Sequence, residues 1–156
     1  MGREIEHKFL VRDETWRRSV RHSARLRQAY LSDGGRASIR VRIADAQATL
    51  NIKSARLGVS RDEYEYEIPL KDAEELLALC TGSPVLKTRH EIVHDGHTWE
   101  IDEFEGANTG LVVAEIELDD PAERFARPAW LGVEVSDDAR YYNVALARSP
   151  YRDWPR

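Results

Sequence analysis

Apolar and polar residues alternate with period two along most of this chain, as they do in strands whose two faces meet different surroundings. The alternation predicts eight strands: Glu4–Leu10, Arg25–Leu31, Ala37–Ala44, Ala48–Ser54, Asp62–Leu70, Val85–His94, His97–Phe104 and Leu111–Leu118. Turn residues separate several of them. Asp33-Gly34-Gly35 follows the second strand, and Asp95-Gly96 joins the sixth to the seventh as a two-residue hairpin. Helical signals are fewer. Asp13 is a cap candidate ahead of Trp16 and Val20, and Asp72 with Glu75 makes a capping-box-like start before Leu76, Leu77 and Leu79. Asp137 or Asp138 is placed to cap a last helix running through Tyr141, Tyr142, Val144, Ala145 and Leu146. No repeat, linker or low-complexity tract interrupts residues 1–156, which read as a single domain. The expected class is α+β: an eight-stranded antiparallel barrel with a few flanking helices.

Length and composition narrow the options. A chain of 156 residues suffices for one core. No apolar run approaches the ~18 residues of a membrane span, and the start Met-Gly-Arg-Glu-Ile-Glu carries no secretory stretch, so a cytoplasmic location is expected. Cys80 is the single cysteine, which excludes an internal disulfide and leaves it without a metal-site partner. Net charge is -5, against the basic face that nucleic-acid binding needs, so no nucleic acid and no membrane partner is expected. Oligomeric state stays open, a homodimer included.

Splitting each strand into its faces isolates the chemistry. One face is ordinary, with Ile5 and Phe9, Ile39, Val41 and Ile43, Tyr64, Tyr66 and Ile68, Trp99 and Ile101, and Val112, Ala114 and Ile116. The other reads Glu4, Glu6, Lys8; Arg40, Arg42; Asn51, Lys53; Glu63, Glu65, Glu67; Lys87, Arg89, Glu91; Glu100, Asp102; Glu115, Glu117. Three of the chain's four lysines fall on it. For any one strand this is the wet side of an antiparallel sheet. For the whole set, two features favour a ligand-lined interior. Like charges are grouped within strands, where a solvated sheet mixes signs, and almost no Thr, Ser or Gln dilutes them. An eight-stranded barrel has room inside for side chains or one small ligand. Unpaired charge there is costly unless a polyanion meets the Arg/Lys sector and divalent cations meet the Glu/Asp sector, a combination suited to phosphoryl transfer. Arg binds oxyanions as a planar fork, and hard carboxylate oxygens suit Mg²⁺ or Mn²⁺. Zinc is disfavoured because the histidines are scattered: His94 and His97 flank the hairpin turn, and His7 alternates away from Glu4 and Glu6. Neither a phosphate-binding Gly-rich loop nor a Ser-His-Asp order is present.

These residues resemble a known family. Glu4-Ile5-Glu6-His7-Lys8 is similar to the E-x-E-x-K signature that opens the CYTH domain of the triphosphate tunnel metalloenzymes. The likeness continues in order through Gln28-Ala29-Tyr30-Leu31, Ile39-Arg40-Val41-Arg42, Ile52-Lys53 and Glu63–Pro69. Lys87-Thr88-Arg89, Trp99–Asp102 and Ala114–Leu118 extend it, and it ends near Asp138–Asn143. The resemblance implies a tunnel that binds a triphosphate and hydrolyses it with Mg²⁺ or Mn²⁺. By position it implies that Lys8, Arg40, Arg42, Lys53, Lys87 and Arg89 hold phosphates. Glu4, Glu6, Asp102, Glu115 and Glu117 would hold metal, with Glu63 and Glu65 as further acidic lining. It also implies that Lys8 and Tyr30 act as a catalytic pair, and that the last helix closes one tunnel mouth. The arginine common between Glu and Lys of the motif is His7 here. Inorganic triphosphate, the smallest candidate substrate, fits best, since no nucleobase or thiazolium pocket is legible. Thiamine or nucleoside triphosphates, and cyclisation of ATP, are the alternatives within the family. A non-catalytic polyphosphate- or nucleotide-binding module is the alternative outside it, and would not need the metal carboxylates.

Overall fold

In the computed structural model, which describes residues 2–156, nine strands follow one another with few helical interruptions. They are β1 (Arg3–Val11), β2 (His22–Ser32), β3 (Ala37–Ala44), β4 (Gln47–Ser54), β5 (Ser60–Ile68), β6 (Thr81–His94), β7 (His97–Glu105), β8 (Val112–Glu117) and β9 (Leu131–Glu134). Helix α1 (Leu70–Leu77) lies between β5 and β6, and α2 (Asn143–Arg148) follows β9. Eight strands pair in the order β5-β4-β3-β2-β6-β7-β8-β1, every pair antiparallel. The ring closes where β1 returns to β5 through Arg3↔Asp62, Glu4↔Arg61 and Ile5↔Ser60. The expected eight-stranded closed barrel is thus present.

The apolar core wraps around this barrel. Phe9, Trp99, Ile101 and Ile116 point outward, where Trp16, Trp130 and Leu131 cover them. On the opposite wall Val41, Ile43 and Ala48 pack against Ala73, Leu76 and Leu77 of α1. Burying each such large side chain contributes about 1.5–3 kcal/mol. Charge can therefore fill the middle because stability is drawn from the outside. One end of the interior is the exception. There Tyr30, Val85, Phe104 and Val113 meet Leu146 and Ala147 of α2, forming an apolar plug.

Several boundaries differ from the periodicity. Pro69 ends the fifth strand at Ile68 and serves as N-cap of α1, so Asp72 falls in the first turn rather than at the cap. The segment after Asp13 forms only a 3-10 turn, Thr15–Ser19, with Asp13 accepting from the Thr15 N–H at 2.8 Å. Asp138 caps a short 3-10 turn at Ala139–Tyr141, and α2 begins after it. Strand β9 was not anticipated. It pairs with β1 beyond β5, through Phe9↔Glu134 and Val11↔Leu131, and Gly132 permits the approach because a Cβ there would lie 2.7 Å from the Leu10 carbonyl oxygen. The outer face of β5 is only partly covered: Ile68 packs with α1, whereas Tyr64 and Tyr66 are 49% and 56% exposed. The Asp95-Gly96 hairpin forms as expected, with φ of 50° and 81°. Among the described residues no helix is long and apolar enough to cross a membrane.

Candidate active site

Strand alternation delivers the charged face to one cavity of about 380 Å³ inside the barrel. Its wall takes Glu4, Glu6 and Lys8 from β1, Arg40 and Arg42 from β3, and Lys53 from β4. Glu63 and Glu65 come from β5, Lys87 and Arg89 from β6, Glu100 from β7, and Glu115 and Glu117 from β8. Every predicted site residue except Asp102 is therefore on this wall, Tyr30 included. Asp102 lies behind it, fully buried, where it accepts from both Lys87 (2.6 Å) and Arg89 (2.8 Å through Nε and 2.8 Å through Nη2).

Neighbouring strands group the signs. β4, β3, β2 and β6 are consecutive around the ring and carry Lys53, Arg40, Arg42, Lys87 and Arg89. β7, β8, β1 and β5 complete the ring and bring most of the carboxylates. Within the acidic half, Glu6 stands directly across from Glu117 and Glu100 across from Glu115, pairings that repel.

Most of these charges find partners inside the tunnel. Lys8 donates to Glu6 at 3.0 Å and to Glu115. Lys53 and Arg61 share Glu4, at 2.9 and 3.1 Å, and Arg89 also reaches Glu115 at 2.9 Å. Burial disfavours the charge on Lys8, but Glu115 and Glu6 outweigh it and raise its pKa. Burial likewise opposes charge on Asp102 and Glu115. Arg89 and Lys87 nevertheless hold Asp102 well below the usual range, and Lys8 and Arg89 hold Glu115 down to about 2. Lys87 gives way in the other direction: burial, with Arg89 and Arg42 beside it, brings it down to about 7 despite Asp102.

Two places are left unbalanced. Among the described residues neither Arg40 nor Arg42 has a carboxylate within ion-pair distance, and the buried Arg40 Nε has no partner at all. Arg42 donates only to the neutral Gln28, at 2.8 Å, and burial together with Arg40 and Arg89 pushes it down to about 9. Across the cavity, Glu117 at the exposed rim is pushed up to about 7 by burial of its carboxyl and by Glu6, Glu4, Glu63 and Glu100. Surplus positive charge thus faces surplus negative charge, with open volume between them. Among the described residues no three acidic or histidine side chains are already gathered at ligand spacing. The fit to a metal rests instead on donor chemistry: all-oxygen ligands with unrelieved negative charge at Glu117 suit a hard divalent cation rather than zinc.

Five wall residues were not anticipated from the sequence: Ser38, Arg61, Tyr142, Asn143 and Val144. Arg61 shares the inward parity of Glu63 and Glu65 but lies before the predicted start of its strand. Tyr142 is the N-cap of α2 and Asn143 its first residue, and neither follows a strand alternation. Asn143 accepts from Gln28 at 2.9 Å and from Lys87 at 2.8 Å, and the Tyr142 ring lies under two cations, Lys8 at 5.2 Å and Arg61 at 4.9 Å. The expected Lys8–Tyr30 pair does not form a hydrogen bond here. Tyr30 sits opposite Arg40 in register and packs into the plug.

A closed barrel whose core lies outside and whose interior holds cationic and acidic sectors is a tunnel whose lining suits a polyanion. Residues 2–144 match the CYTH domain family model, and the chain belongs to that family. It is 43% identical over 155 residues to an inorganic triphosphatase of Acetivibrio thermocellus, covering 99% of each chain. It is 38% identical over 150 residues to an inorganic triphosphatase of Nitrosomonas europaea, covering 94% of this chain and 97% of the relative. A crystal structure of an inorganic triphosphatase superposes with a TM-score of 0.66 at 35% identity, over 92% of this chain and 93% of the other. A Pyrococcus horikoshii protein shares the fold at a TM-score of 0.60 and 21% identity, over 76% of this chain and 80% of that one.

Proposed function

We propose that this protein hydrolyses inorganic triphosphate to pyrophosphate and phosphate with the help of Mg²⁺ or Mn²⁺. The observation that carries the reading is the pair of arginines without a carboxylate partner, buried Arg40 and half-buried Arg42, facing the unmatched acid at Glu117 across one cavity. Phosphate oxygens match the first and a divalent cation the second. Size and lining favour the inorganic substrate. The wall is polar except for Val144, and Tyr30 and Tyr142 are held by the plug and by cations, so no free surface remains to stack a nucleobase. Both relatives reported above are named for this activity, which supports the same substrate class.

In this reading Arg40, Arg42, Lys53, Lys87 and Arg89 bind the phosphates, with Arg61 as an additional cation. Glu4, Glu6, Glu115 and Glu117 hold the metal, and Glu63 and Glu65 complete the acidic lining. When bound, the metal neutralises phosphate charge and polarises the phosphoryl group. Asp102 acts behind the phosphate-binding cations, where its carboxylate fixes the Arg89 guanidinium and the Lys87 ammonium. Lys8 lies at the seam of the two sectors. Two of its three N–H donors are spent on Glu6 and Glu115, which leaves the third for an oxygen of the transferring phosphoryl group, where charge develops. Water attacks the terminal phosphorus, the bridging P–O bond breaks, and pyrophosphate leaves with the bridging oxygen. The test is phosphate release from triphosphate, thiamine triphosphate, ATP and pyrophosphate, each with Mg²⁺, Mn²⁺ or excess EDTA. Triphosphate with a divalent ion is expected to dominate. Equal release in EDTA, or preference for ATP, overturns the reading.

A further inference from the structure

We infer that Tyr142 is the positioning residue for Lys8. The inference rests on the reading of Lys8 as the group that acts on the phosphoryl transferred. A lysine ammonium on a four-carbon stem is a mobile point charge, and this one stands between two carboxylates that compete for it. The Tyr142 ring supplies a third point of attachment that takes no N–H donor. Its centroid lies 5.2 Å from Lys8 Nζ and 4.9 Å from Arg61 Cζ, so the ring is in cation–π reach of both the motif cation and a cation of β5. The ring is itself fixed from behind. Its hydroxyl lies 2.8 Å from the carbonyl oxygens of both Gly58 and Ser136, between which its single proton is shared, and it accepts from the Gly58 N–H at 3.3 Å.

The same segment grips Lys8 by its backbone. The Lys8 N–H donates to Ser136 Oγ at 3.0 Å, and the Val135 N–H donates to the Lys8 carbonyl at 2.8 Å. Residues 135–142 therefore hold both ends of this one lysine. Tyr30 has no comparable hold on it: its strand neighbour is Arg40, and its ring packs with Val85, Phe104 and Leu146. The ring face, rather than the hydroxyl, is the part that orients the ammonium. Placement of the free donor should consequently depend on having an aromatic ring at this position.

Three measurements test this. In triphosphate hydrolysis, Tyr142→Phe should stay within about 3-fold of wild-type kcat, whereas Tyr142→Leu should lose about 10-fold in kcat with KM little changed. Calorimetric binding of triphosphate without metal should be alike in all three proteins, which a general collapse of the tunnel would not allow. Independently of activity, the Lys8 ε-methylene can be followed by NMR, since the chain has only four lysines and Lys8→Arg assigns it. Its signal should be shifted upfield in the wild type and show Overhauser contacts to the Tyr142 ring. A Phe variant as impaired as Leu, a Leu variant with kcat intact, or contacts to Tyr30 in place of Tyr142 overturns the inference. The NMR result requires neither a folded variant at position 142 nor any turnover, so it still decides the placement if the hydrolase reading itself fails.

Discussion

A charge is judged by what faces it, and the carboxylates of β8, buried Glu115 and Glu117 at the rim, show how differently two neighbours of one type behave. Glu115 bonds to Lys8 and Arg89, whereas Glu117, two residues on, meets mostly other carboxylates. Removing one partner from a buried pair strands the rest. Glu115→Gln should therefore cost on the order of 3 kcal/mol, or roughly 10 °C in melting temperature, together with most of the activity. Glu117→Gln should lose activity but melt no lower than the wild type, and even higher, because it relieves repulsion. Differential scanning calorimetry beside a phosphate-release assay separates the two, and a Glu117→Gln protein that melts well below wild type would contradict this account. The cations divide similarly. Lys8→Ala should fall on the order of 10²-fold in kcat, the scale of removing one charge-stabilising donor. Arg40→Ala, which loses an unmatched anion contact, should act chiefly on KM. A Lys8→Ala enzyme with normal kcat would return Lys8 to the binding set.

At the scale of elements, β9 matters beyond its four residues. It continues the edge of β1 past β5, and the chain leaving it supplies Val135 and Ser136 to the Lys8 backbone. Gly132 is what lets it lie there. Gly132→Ala would place a methyl 2.7 Å from the Leu10 oxygen and force β9 off β1. A stability loss of about 1–3 kcal/mol is expected from the clash, with a fall in kcat exceeding the change in KM, since Lys8 is anchored through this strand. Urea unfolding and steady-state kinetics check both parts; an unperturbed kcat would mean that the anchoring is unimportant. Helix α2 has a comparable double role. Leu146 seals the apolar plug while Asn143, at the helix start, bonds to Lys87 and Gln28.

Across the whole molecule, binding should stabilise the fold, because the ligand neutralises charge that the empty barrel holds apart. At 100 times its dissociation constant a ligand adds about 2.7 kcal/mol, here about 5–10 °C. Triphosphate should give this shift in a thermal melt and pyrophosphate markedly less, because cations distributed over five strands are spread too widely for a shorter chain to meet them all. Equal shifts from the two ligands would contradict an extended site.

Seen against the chain itself, the eight barrel strands, though not β9, and their two faces were legible in the alternation of Glu4, Glu6 and Lys8 or Arg40 and Arg42, since a period of two follows from backbone geometry alone. So was the Asp95-Gly96 hairpin, whose positive φ angles those residues accept. The order of signs along each strand already carried the chemistry and the family. What alternation could not determine was which inward charges meet. Glu115 and Glu117 are equivalent in the sequence, and only the pairing of β8 with β1 and β7 places one beside Lys8 and Arg89 and the other across from Glu6. Arg61, Tyr142 and Asn143 likewise enter the site through long-range closure, β5 onto β1 and the C-terminal segment over the barrel end. Such contacts depend on where distant elements pack, a property of the assembled chain and not of any local period.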